Sequence, residues 1–245
     1  MDATGRFVRY TLSSRNPEAA RAFYRALFGW TDAPNGYLAV QGRPMFDVIA
    51  GEPAAGWTGH IAVDDLEDGI AIATAHGGGV RIPERAVAGR FTHATDADGV
   101  PLALFQGSAE LLSDEERPSH GVPAWNVLVT HKPEDAVHFY VRLCGWVVEE
   151  VDLDHDLLGT YYVADRDGRA IAGIIRAPSP DITPHWCLCM AVDSLEETLA
   201  TGRALGARVV REPLTIAEVG TYAVLEDLDG TRVGALRWHG QRRPW

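Results

Sequence analysis

Between residues 7 and 13 (FVRYTLS) apolar and polar side chains alternate, which predicts a strand with one face buried. Asn16-Pro17-Glu18 then offers a capping side chain, a proline in the first turn and a carboxylate near the positive helix end, so a helix starts there. Gly29 ends it. Ala20, Phe23, Tyr24, Leu27 and Phe28 fall on one stripe of that helix, a face built to pack on a sheet. Strands are predicted at 37–40 and 45–50, turned by Gly42-Arg43-Pro44. A second unit repeats the order: a strand at 59–63, a helix capped by Asp64 or Asp65 and running to about His76, and a glycine run, Gly77 to Gly79, that stops it. Strands near Val80, at 90–95 and at 101–106 close the unit, the last two joined by the hairpin signal Asp96-Ala97-Asp98-Gly99.

The same phrase then returns. RYTLSSRNPEAARAFYRALFGW (9–30) matches WNVLVTHKPEDAVHFYVRLCGW (125–146) without a gap, at a constant offset of 116 positions (125 minus 9). Leu12, Pro17, Glu18, Phe23-Tyr24, Leu27 and Gly29-Trp30 recur as Leu128, Pro133, Glu134, Phe139-Tyr140, Leu143 and Gly145-Trp146. A repeat of that length divides the chain into two halves of about 120 residues each. Four modules of strand, helix and antiparallel strands are predicted: 6–55 and 56–108 in a first domain (1–108), 122–178 and 183–238 in a second (122–245). The polar stretch 109–121 reads as the linker. Module three carries longer hairpins at 152–156 and 165–168, and Ser194 with Glu197 makes a capping box in module four. Asp227-Leu228-Asp229-Gly230 answers the first half's Asp-x-Asp-Gly, and the tail 237–245 reads as a loose end or a flap.

Charge and cysteine content narrow the partners. Thirty-four acidic against twenty-two basic residues give a formal net charge of −12, which argues against nucleic acid and anionic membranes as partners. No stretch reaches the roughly 18 apolar residues of a membrane span, and the N-terminus does not read as a signal peptide, so a cytoplasmic protein is expected. Cys187 and Cys189 lie two apart on one predicted strand and Cys144 is remote, a pattern of free thiols. The expected partner is a small molecule, and the chain is expected to be a monomer or a homodimer.

Four such units in tandem, with Phe-Tyr-x-x-Leu-x-Gly-Trp closing the first helix of each half and Asp-x-Asp-Gly in each last hairpin, resemble the vicinal oxygen chelate superfamily of glyoxalases, extradiol dioxygenases and bleomycin-resistance proteins. The resemblance implies an α+β fold of two tandem glyoxalase-like domains, four βαβββ modules forming cup-shaped sheets. It also implies a divalent metal held by two histidines and a glutamate at set positions. Carried over, those positions are Arg9, His60 and Ala103 in the first half and Trp125, Cys189 and Gly234 in the second. One imidazole survives out of six ligands, too few to neutralise or enclose a divalent ion. No metal is therefore expected at the usual position and no cofactor is expected, with a divalent metal on a displaced set of ligands as the open alternative.

His93 falls at an inward position of the same cup as His60, and two imidazoles in an apolar cup suit acid and base roles near neutrality. Arg9 and Thr11 are placed to orient a substrate oxygen, Phe91 and Phe105 to wall the cup. Trp125, Trp186 and Cys189 are assigned to ligand contacts in the second half. His185 shares the face of Cys189 near the strand's mouth, while Trp30, Trp146 and the Phe-Tyr pairs read as packing and helix termination. The expected function is a small-molecule enzyme acting on an apolar, aromatic metabolite by metal-independent isomerisation, cyclisation or hydration, as in tailoring reactions of secondary metabolism. A sequestering resistance protein and a metal-dependent lyase or dioxygenase with displaced ligands are the alternatives.

Overall fold

The computed structural model describes residues 3–54, 56–86, 88–108, 118–152, 159–216 and 219–239. Most of the predicted linker (109–117), the hairpin at 153–156 and the end of the tail (240–245) lie outside the described residues.

The first half runs β1 (Phe7–Ser14), α1 (Pro17–Phe28), β2 (Thr31–Asp32), β3 (Leu38–Val40), β4 (Arg43–Ala50), β5 (Thr58–Ala62), α2 (Leu66–Ala75), β6 (Glu84–Ala86), β7 (Gly89–Thr95) and β8 (Pro101–Gly107). The second runs β9 (Pro123–Thr130), α3 (Pro133–Cys144), β10 (Val147–Asp152), β11 (Thr160–Asp165), β12 (Ala170–Arg176), β13 (His185–Ala191), α4 (Leu195–Ala204), β14 (Arg208–Ile216), β15 (Gly220–Glu226) and β16 (Arg232–Trp238). Two mixed eight-stranded sheets result, ordered β2-β3-β4-β1-β5-β8-β7-β6 and β10-β11-β12-β9-β13-β16-β15-β14, both open at their edges. Consecutive modules therefore share a sheet, joined by the antiparallel pairs β1–β5 and β9–β13. This pairing separates His60 from Trp125.

Local signals act as the sequence implies. Asn16 Oδ1 caps α1 by accepting from Ala19 N, and Gly29 closes it at φ 71°. Asp65, not Asp64, caps α2, and Ser194 caps α4. The turn after β3 falls one residue earlier than predicted: Gln41 and Gly42 both take positive φ, the geometry of a tight hairpin, and this frees Arg43 and Pro44 to begin β4.

Each sheet turns one face to the core and one to a cup. Phe7, Tyr10 and Leu12 of β1 join α1 and α3 residues in a single apolar core spanning both halves. The β1–β5 and β9–β13 ladders each shift register, skipping Val8 between Phe7 and Arg9 in β1 and Ala124 between Pro123 and Trp125 in β9, and these two residues each join a separate cluster away from that core. The two halves are stitched by polar tips at equivalent positions. Trp30 Nε1 donates to Gly121 O at 2.8 Å and Trp146 Nε1 to Gly5 O at 2.7 Å. Tyr24 donates to Asp227 at 2.8 Å and Tyr140 to Asp96 at 3.2 Å, each carboxylate belonging to the other half's Asp-x-Asp-Gly hairpin. Ser14 and Thr130 likewise donate to Asp229 and Asp98. The Phe-Tyr and Gly-Trp phrases thus hold the halves together as well as ending helices.

Candidate functional site

Strand register brings the six positions of the implied metal triads side by side. Arg9 faces His60 across β1–β5 and His60 lies beside Ala103 across β5–β8; in the second half Trp125 faces Cys189 and Cys189 lies beside Gly234. The residues do not fit a divalent ion. In the first row a guanidinium stands beside the lone imidazole, and its charge helps hold that imidazole neutral. In the second row a Cβ added at Gly234 would lie 2.4 Å from Cys189 Sγ, so a carboxylate there is blocked by the thiol. Among the described residues no group of three or more His, Cys, Asp or Glu is placed to hold a metal ion.

The first cup gathers side chains that contact one another. Arg9 lays its guanidinium over Phe105, 4.7 Å from the ring centre, and donates to Tyr37 Oη at 3.2 Å. His60, 3% exposed, holds Thr11 Oγ1 at 2.8 Å through Nε2, while its Nδ1 meets no partner among the described residues. Burial first, then Arg9 and His93, push its pKa down to about 3. His93 and Phe91 pack against it with ring centres 6.4 and 5.5 Å away, and burial also lowers His93. Asp47 sits in register beside Thr11, its carboxyl pushed up by burial against the pull of Arg21 and Arg9. It was missed in the sequence, where the signal was a lone carboxylate between the core residues Phe46 and Val48.

The second cup encloses a cavity of about 220 Å³. Its walls include Trp125, Tyr161, Tyr222 and Trp238, with Val127, Val129, Ile175 and Leu236 between them. Trp125 donates to Tyr161 Oη at 2.8 Å, so the ring that replaces Arg9 lies against a neighbour. His185 lines the cavity with Nδ1 2.8 Å from Thr183 O, and burial pulls its pKa down to about 4. Cys189 lines it too; contact with Cys187 and burial push its thiol up, so it is a packing group rather than a thiolate.

The sequence-predicted residues therefore divide. Arg9, Thr11, His60, Phe91, His93 and Phe105 come together in the first cup, Trp125 and Cys189 in the second. Trp186 is corrected: alternating with His185 and Cys187, it turns to the core, where its Nε1 donates to Tyr140 Oη at 3.0 Å and its ring meets Phe7 edge-on. Tyr161, Arg211, Tyr222 and Trp238 were not singled out in the sequence; their only signal was the alternation of β11, β14, β15 and β16.

A family model described as the Glyoxalase/Bleomycin resistance protein/Dioxygenase superfamily matches residues 123–234. Two relatives, each named "Putative glyoxylase CFP32", from Mycobacterium bovis and Mycobacterium tuberculosis, are 29% identical over 244 residues, covering 92% of this chain and 92% of theirs. Among solved structures, 2,2',3-trihydroxybiphenyl 1,2-dioxygenase from Sphingomonas wittichii has a TM-score of 0.67 at 16% identity, over 99% of this chain and 98% of that one. The Mn(II)-bound glyoxalase from Novosphingobium aromaticivorans has a TM-score of 0.65 at 17% identity, over 97% of this chain and 83% of that one.

Proposed function

We propose, from the premise that the chain belongs to the glyoxalase/bleomycin resistance protein/dioxygenase superfamily, that it binds a small, planar, mostly apolar molecule in the second cup without the help of a metal ion. The cavity carries this reading: about 220 Å³ of space walled by four aromatic rings and branched aliphatic side chains. Stacking and apolar burial there favour a flat ring system, and each aromatic contact contributes beyond its area. Of the wall residues that could serve as nucleophile or base, His185 and Cys189 are held neutral, which gives them the character of lining. The geometry therefore supports binding more than turnover, which favours sequestration over acid and base chemistry in this cup.

Tryptophan fluorescence titrated with 2-naphthamide, a neutral planar probe, tests the reading. Saturable quenching lost in Trp125→Ala supports it; absence of quenching in the parent protein sinks it. Metal analysis of untagged protein tests the second clause, since stoichiometric manganese, iron, nickel or zinc overturns it.

A second reading rests on His60 Nδ1, a buried nitrogen of the first cup with no partner among the described residues. A neutral imidazole fixed by Thr11 can hand a proton to or from a substrate oxygen, with His93 as the partner group. With its pKa pulled to about 3, His60 is a weak base, and turnover of an identified substrate surviving both His60→Ala and His93→Ala excludes this role.

A further inference from the structure

The walls of the second cup contain two donors that the protein itself leaves without an acceptor. Nε of Arg211 and Nε1 of Trp238 are both buried and both lack a hydrogen-bond partner among the described residues. Arg211 reaches from β14 over the ring of Tyr222, 5.7 Å from its centre. Trp238 stands near the end of β16, and the register places Tyr222 of β15 between the two: Arg211 pairs with Val224, Trp238 with Gly220.

The charge around them is one-sided. Among the described residues Arg176, Arg211 and Arg232 line the cavity and no Asp or Glu does, in a chain with a formal net charge of −12. Arg176 is already engaged by both carboxylate oxygens of Glu134, and Arg232 lies at 4.0 Å from Glu226. Arg211 has no carboxylate partner among the described residues, so its charge is free to act on the cavity. A guanidinium fork matched to a carboxylate binds it through charge-assisted bonds, and its partial burial strengthens them.

We infer that the occupant of the second cup is an organic monoanion, a flat apolar body bearing one carboxylate that pairs with Arg211, with a further acceptor group reaching the indole N–H of Trp238. This rests on the cavity being the binding site. The apolar body is held by Trp125 and Tyr161 at the other wall, and the anion sets its orientation. An uncharged amide of equal shape would fill the same space but offer Arg211 only a neutral carbonyl oxygen, and the discrimination between the two follows from the lost charge assistance.

Titration calorimetry of the full chain with 2-naphthoate and with 2-naphthamide separates the two claims. The expected result is at least about 10-fold tighter binding of the carboxylate, as one charge-assisted hydrogen bond implies. Arg211→Gln is expected to erase that preference, weakening the carboxylate by at least about 10-fold more than the amide. Arg211→Lys, which keeps the charge but loses the Nε donor, retains part of it. Equal affinity of the parent protein for both probes overturns the anion inference and leaves the cavity reading standing. Failure of both probes to bind overturns the two together. Thermal melting of each variant shows that it is folded, and a preference that persists in folded Arg211→Gln also overturns the assignment.

Discussion

Replacing Tyr24 by Phe removes one hydroxyl from the seam between the halves. Tyr24 is fully buried and donates to Asp227 Oδ2 at 2.8 Å, whereas Oδ1 of that carboxylate accepts from the backbone of Asp229 and Thr231 at 2.9 Å each. The hairpin therefore keeps its shape in the variant, and the loss is confined to one bond across the seam. A hydrogen bond to a charged group is worth about 1.5–3 kcal/mol, and a chain of this size loses about 2–4 °C per kcal/mol, so the melting point should fall by about 3–12 °C at pH 7. Tyr140→Phe should cost more although its bond to Asp96 is longer, at 3.2 Å, because Tyr140 also accepts from Trp186 Nε1 and its loss leaves two buried groups unpartnered. Burial raises the pKa of Asp227 above its ordinary value. As pH falls into the carboxylate range the folded protein takes up that proton first, which favours the folded state, and the bond to Tyr24 becomes a neutral one of about 0.5–1.5 kcal/mol. The gap between Tyr24→Phe and the parent should then shrink by about half, read by circular dichroism melts across pH. A shift below about 1 °C at pH 7, or a gap that widens in acid, would refute the view that these hydroxyls hold the seam.

Three further outcomes are expected. His60 is neutral in the fold with its pKa pulled to about 3, against 6.5 when unfolded, so its contribution is present above pH 6.5 and is lost as pH falls, at up to about 1.4 kcal/mol per pH unit; urea unfolding of His60→Gln should show a shallower loss between pH 6.5 and 5, and parallel curves would contradict the burial argument. Gly121 has φ 77° and a Cβ there would lie 2.2 Å from Phe28 O, so Gly121→Ala should lower stability by about 2 kcal/mol or more, measured by the same unfolding, with Gly5→Ala behaving alike through Cys144 O. Val127 lines the second cup, and Val127→Phe should abolish binding of 2-naphthamide with a melting point within about 3 °C of the parent, whereas retained binding would place the ligand elsewhere.

The helices and most strands were legible because each carries its own local signal: Asn16, Asp65 and Ser194 accept from backbone N–H groups two or three residues on, and Gly29 and Gly145 take the left-handed conformation that ends a helix. The repeat at an offset of 116 positions reaches further than side-chain identity suggested, since Gly5 and Gly121 receive equivalent indoles. Module pairing was not legible, because the strand ends that choose β5 or β13 as the neighbour of β1 look alike in sequence. Trp186 shows how sharply faces depend on phase: one residue along β13 separates a cavity wall from the core. Arg211 and Trp238 could not be found by motif, because their significance is the lack of an acceptor, a property of the folded surroundings alone.

Duplication lets one strand position shape two cups differently. At the same strand position the first half has Arg9 and the second Trp125, and each residue determines its cup by what lies opposite. Arg9 is drawn onto Phe105 and Tyr37 by its charge, and its cation acts on His60 beside it. Trp125 has one polar atom, which Tyr161 accepts, and the rest of its ring becomes wall. The same contrast recurs one strand further: His60 takes Thr11 as partner, whereas Cys189 tucks its small thiol over Gly234, where no side chain competes. Exchanging the first pair tests the logic directly. Trp125→Arg should bring a guanidinium beside Tyr161, add a fourth cation to a cavity that has three arginines and no carboxylate, and reduce its aromatic wall. Binding of 2-naphthamide should weaken at least about 10-fold, as expected for loss of a stacked ring, while 2-naphthoate loses less because the new cation faces it. Equal losses for both probes would show that wall shape alone, and not charge, sets what the second cup binds.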